Sequence, residues 1–192
     1  MKLSLLNYVT FQIGWLACVL SAAHGRPLLG LLVAILILGL HLALAPRLRQ
    51  EIKMLLVCAT IGSIFDSLLL ATGWVSYPNG EWIPGVAPYW IVAMWFLFCA
   101  TLNLSMGWLK GKLVLAAVMG ALGGPLSYIA GQNLNAIRLE NPEAALIAVA
   151  IAWTFMMPVL CVLAERWNGF PRESSGQVVP GGWFFDWVKG RA

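Results

Sequence analysis

The chain has 192 residues, 60% of them hydrophobic and 10% charged, with a formal net charge of +4 and a mean hydropathy of +0.82. An ordinary soluble domain carries roughly a quarter charged residues, so this composition excludes a disordered chain, a basic nucleic-acid module and nearly every soluble enzyme. It points to an integral membrane protein: each helical span takes about 20 apolar residues, and the chain has room for six and little else.

In chain order, span 1 is predicted from Leu3 to Ala23, followed by a tight turn at His24, Gly25 and Arg26. It has no short apolar core ending in an A-x-A-like site, and five more apolar runs follow. It therefore reads as a retained span and not a cleaved signal. Span 2 runs from Pro27 to Ala45, with proline suited to a first helical position, and a basic loop covers Pro46 to Lys53. Span 3 runs from Met54 to Trp74. The next loop, Val75 to Ala87, carries Pro78, Gly80, Pro84 and Gly85, which are turn residues. Span 4 covers Pro88 to Trp108, span 5 Leu113 to Gly131, and span 6 Pro142 to Glu165. The prediction is an all-α polytopic bundle of six transmembrane helices over residues 1–168, with a cytoplasmic tail over 169–192. In that tail Trp183 and Trp187 stand one helical turn apart, like an interfacial anchor.

Six spans put both termini on one side. Of the 12 lysines and arginines, only Arg26 and Arg138 fall on the other, leaving ten with the termini. Basic residues mark cytoplasmic loops, so both termini are expected in the cytoplasm. Trp74, Trp82 and Trp90 cluster at the outer boundary and Trp108 and Trp167 at the inner one, as amphipathic rings do. Cys18, Cys58, Cys99 and Cys161 all lie in apolar segments without a CxxC, as small buried hydrophobes do. No internal repeat supports two inverted halves.

Asp66 is the acid placed deepest in a span. At 1.5 Å per residue it lies ~18 Å along its helix, near the middle of a ~30 Å core, where a charge costs ~3 kcal/mol. It must face the bundle interior, as a proton-handling or substrate-binding acid or as interhelix glue. Ser63 shares its face; Trp95, Ser127, Tyr128 and Thr154 share its depth and are candidate partners. None is a base, so no buried salt bridge is evident. A second polar layer, nearer the cytoplasm, comprises Asn7, His41, Asn103 and Ser105. His41 there could titrate or bind an anionic head group.

Small residues line span 1 (Gly14, Cys18, Ser21) and span 5 (Gly120, Gly124, Ser127), permitting close helix approach. Pro125 and Pro158 interrupt spans 5 and 6 and free carbonyls that can line a cavity or bend the helix. Two histidines with no HxxxH give no metal pattern, and no GxSxG, P-loop or GxGxxG occurs, so neither metal nor cofactor is expected.

The amino-terminal run Asn7-Tyr-Val-Thr-Phe-Gln12-Ile-Gly-Trp15, closing in a small-residue turn at Gly25, resembles a family of small uncharacterised proteobacterial inner-membrane proteins, a domain of unknown function. The mid-chain Asp66 and the outer Trp- and Pro-rich loop are also similar to it, and the resemblance covers about residues 1–168. It carries over no catalytic residue. It implies genes near cyclopropane-fatty-acid-synthase-like methyltransferases and flavin oxidoreductases, hence a role near membrane-lipid modification. Three functions are weighed on this basis. The first is an accessory or lipid-binding component with membrane lipid and a membrane or peripheral enzyme as partners. The second is a small proton-coupled transporter, working as an oligomer, with Asp66 as the proton site. The third is a cofactor-free membrane enzyme with Asp66 as acid.

Overall fold

The computed structural model describes residues 2–171; the aromatic tail segment around Trp183 and Trp187 lies outside them. Six α-helices run in order: α1 Lys2–Ala23, α2 Pro27–Ala43, α3 Leu48–Ala71, α4 Tyr89–Cys99, α5 Leu113–Asn133 and α6 Pro142–Arg166. Of these, α1, α3, α5 and α6 are long and apolar enough to cross a membrane, whereas α2 and α4 are shorter. Large aliphatic side chains point outward all round the bundle. Leu36 is 74% exposed and Val114 81%. In water that surface would be an aggregation liability; against lipid it is the expected one.

Local chemistry sets the helix ends. α1 stops where Gly25 takes a φ of 69°, so that Arg26 N donates to Ser21 O (2.8 Å) and Gly25 N to Ala22 O (3.0 Å). This is the left-handed C-terminal cap glycine favours. Asn141 caps α6 by accepting from Ala144 N, with Pro142 in the first turn.

Three expectations change. The span predicted over Pro88–Trp108 is not one helix. α4 ends at Cys99 after 11 residues, about 17 Å. The chain then folds through tight turns over 100–106 and a short 3-10 turn at Gly107–Leu109. This irregular backbone is largely buried and hydrogen-bonded: Asn7 Nδ2 donates to Ala100 O (3.2 Å), Asn7 Oδ1 accepts from Ser105 N (3.2 Å) and Ser105 Oγ (2.6 Å), and Thr101 Oγ1 donates to Phe98 O (2.6 Å). Non-helical backbone is tolerated at membrane depth only where protein satisfies it, as here. Secondly, α3 begins at Leu48, so most of the predicted basic loop is helix. Thirdly, the described residues include one small strand pair, β1 Val75–Ser76 antiparallel to β2 Arg138–Leu139, with Val75 opposite Leu139.

The helices form two units. α1, α2, α3 and α4 pack as one group, and α5 and α6 form a hairpin that meets it chiefly through α6 on α3. The strand pair ties the two together at the end away from the amino terminus. Between the units lies a cavity.

Candidate functional site

The cavity encloses about 500 Å³, within the ~300–1,000 Å³ range of sites for single small molecules. α1 and α5 flank it without packing along one another. Its wall is aromatic and sulfur-rich. Trp95 and Trp153 stack with centroids 5.2 Å apart, and Phe98 meets both edge-on at 5.8 and 5.3 Å. Met94, Met106, Met119 and Met157 line it too; unbranched thioethers adapt to apolar shapes.

Glycines position this wall. A Cβ at Gly62 of α3 would fall inside the Trp95 ring, so only glycine lets that indole lie across α3. At Gly124 a Cβ would stand 2.6 Å from the Trp153 ring, and at Gly120 it would meet the Trp153 carbonyl. These two seat α5 on α6, the close packing that the small-residue stripe predicts. Gly123 differs: nothing lies within 4 Å of its Cβ position, and it faces the cavity.

Asp66, 3% exposed, borders the cavity. Trp95 Nε1 donates to its Oδ2 (2.5 Å), while Tyr77 OH (2.6 Å) and Tyr128 OH donate to Oδ1. Three neutral donors from three elements thus satisfy one carboxyl, as a buried acid requires. Burial first, and then the Asp66 carboxyl, push the Tyr77 phenol well above its ordinary range, so it stays a donor at neutral pH.

Of the residues expected at this depth, Trp95 and Tyr128 reach Asp66. Ser127 lines the cavity but donates to Gly124 O (2.7 Å), and Thr154 donates to Ala150 O (2.7 Å). Ser63 Oγ, like Trp153 Nε1, is buried without a partner among the described residues. Sequence reasoning missed Tyr77, which sits in a loop rich in turn residues and folds back over the end of α3.

The second polar layer is a separate cluster, and it holds an acid that sequence reasoning left in the basic loop. Glu51 is fully buried. His41 Nε2 (2.8 Å) meets its Oε1, and Asn103 Nδ2 (2.6 Å) and Gly169 N (3.1 Å) donate to Oε2. Lys110 Nζ donates to Asn103 Oδ1. The absence of a basic partner is read for Asp66 and its own layer; the acid–histidine contact lies in this second layer, between Glu51 and His41. The signal was periodicity: Glu51, Leu55, Cys58, Gly62, Asp66 and Leu69 are all buried at three- and four-residue spacing on α3. Asn7 and Ser105 belong to the same end of the bundle but bond to each other. Phe170 seals this end, tilted against His41 with ring centroids 5.0 Å apart.

Among the described residues no group of three or more His, Cys, Asp and Glu side chains is placed to hold a metal ion. A family model described as a protein of unknown function, DUF2878, matches residues 4–159. No curated protein and no solved structure matches the chain.

Proposed function

We propose a function from the premise that the chain belongs to the DUF2878 family of proteins of unknown function: it is an inner-membrane protein that holds the apolar chain of an amphiphile, as a lipid-binding accessory of membrane-lipid modification. The observation that carries this is the cavity of about 500 Å³, walled by indoles, phenyl rings and thioethers and flanked by two helices that do not close on each other. An apolar chain replaces no hydrogen bond there, because the polar groups on the wall are largely paired internally. Asp66 accepts from Tyr77, Tyr128 and Trp95, so it serves this reading as a fixed wall and not as a free base. The bias of basic residues toward the termini supports a cytoplasmic location for both. A lipid-modifying enzyme is the partner this role calls for.

Native mass spectrometry of the full chain, with identification of co-purifying lipid, tests the reading. One bound lipid per chain is expected. A Gly123→Phe variant fills the cavity from a position with free space around it and should lose that lipid while folding normally. A lipid retained unchanged in Gly123→Phe places binding elsewhere and sinks the proposal.

A further inference from the structure

A second cavity, of about 400 Å³, sits at the end of the bundle away from the amino terminus, and its lining is polar: Asn79, Gln132, Asn135 and Arg138. It lies directly beyond the apolar cavity. Ile137 belongs to both walls. On α1, Val19 lines the first and Ala23, one turn on, the second; on α5, Gly131 and Gln132 divide in the same way. In the loop after α3, Tyr77 faces the first and Pro78 the second, and Trp90 Nε1 of the first donates to Asn79 O of the second (2.9 Å).

We infer that the two cavities form one amphiphile site, with Arg138 receiving a singly charged anionic head, a carboxylate or phosphodiester, and the aromatic cavity receiving the tail. This rests on the apolar-chain reading above and adds the class of head group. Arg138 is held by its backbone in β2 opposite Ser76, while its side chain is exposed. No carboxylate pairs with it among the described residues, and nearby Glu140 is engaged by Ser76 Oγ (2.6 Å). A guanidinium fork fits a carboxylate or phosphate edge with two parallel hydrogen bonds. Gln132 is anchored through its Oε1, which accepts from Leu139 N (2.9 Å), leaving its NH₂ as a further donor. The opposite orientation is disfavoured, since Tyr77, Tyr128 and Trp95 spend their donors on Asp66 and leave none for an anion.

The test uses the full chain in a non-ionic maltoside detergent and reads quenching of its tryptophans, several of which line the tail cavity. The probes are stearate brominated mid-chain and the matching brominated stearyl alcohol, which share a tail and differ in head charge. Stearate should bind roughly tenfold more tightly than the alcohol, the worth of a charged hydrogen-bonded pair. Arg138→Gln should abolish that preference without weakening the alcohol, and Arg138→Lys should restore part of it. Equal binding of the two probes, or a preference that survives in Arg138→Gln, overturns the head-group assignment and leaves the tail cavity standing. Failure of both probes to quench, in the wild type as in Gly123→Phe, overturns the tail cavity and this inference with it. Acetate should not compete; competition by acetate would make the pocket a free-anion site and overturn the amphiphile.

Discussion

Glu51 and Asp66 lie on one face of α3, fifteen residues and about 22 Å apart, yet they do different work. Glu51 is wrapped by His41, Asn103 and the backbone N–H of Gly169, and the void beside His41 is about 20 Å³, space for one water. Asp66 is held by aromatic donors and stands on the wall of a void of about 500 Å³. The first acid joins α2, α3, the turned segment after α4 and the segment just beyond α6. The second braces side chains that shape a binding surface. A buried carboxyl in a membrane bundle is therefore not a functional site by depth alone; what it borders decides.

Substitutions can break this contrast. Glu51→Leu should have the largest effect, about 3–5 kcal/mol, because it leaves His41 and Asn103 without their partner; thermal unfolding in detergent measures it, and a loss below that of Asp66→Asn would reverse the ranking. Next, Gly62→Leu should destabilise by about 1–3 kcal/mol through overpacking against Trp95 and also weaken probe binding, since that indole lines the cavity. Asp66→Asn keeps the shape but replaces an acceptor with a donor facing donors, so a loss of about 1–3 kcal/mol is expected. Smallest in stability is Gly123→Phe, within about 0.5 kcal/mol, although its effect on ligand should be the greatest of the four. A stability loss in Gly123→Phe as large as in Gly62→Leu would mean that the space beside Gly123 is filled in the folded protein.

Much of the bundle was legible because spans are written in long apolar runs. The break in α4 was not. Pro88 to Trp108 contains no charge, and hydropathy cannot distinguish a helix from apolar turns satisfied by a neighbour's side chain. Only the pairing of Asn7 with Ala100 and Ser105, some 93 and 98 residues away in sequence, reveals it. For the candidate site, depth arithmetic brought Trp95 and Tyr128 to Asp66 because all three lie within spans. Tyr77 escaped because a loop has no fixed rise per residue. Glu51 escaped because Arg47, Arg49 and Lys53 around it read as solvated, although three- and four-residue spacing places it on the face of Leu55 and Cys58.

The bond from Gly169 N to Glu51 Oε2 spans 118 residues, and this orders assembly. Glu51 enters the bilayer early in synthesis, whereas Asn103 and then Gly169 arrive much later. Until the segment beyond α6 has emerged, the acid lacks part of its hydrogen bonding. Without that segment one oxygen of a buried acid is short of a donor, a deficit that burial makes costly. The segment just beyond α6 thus completes the hydrogen bonding of an acid placed 118 residues earlier.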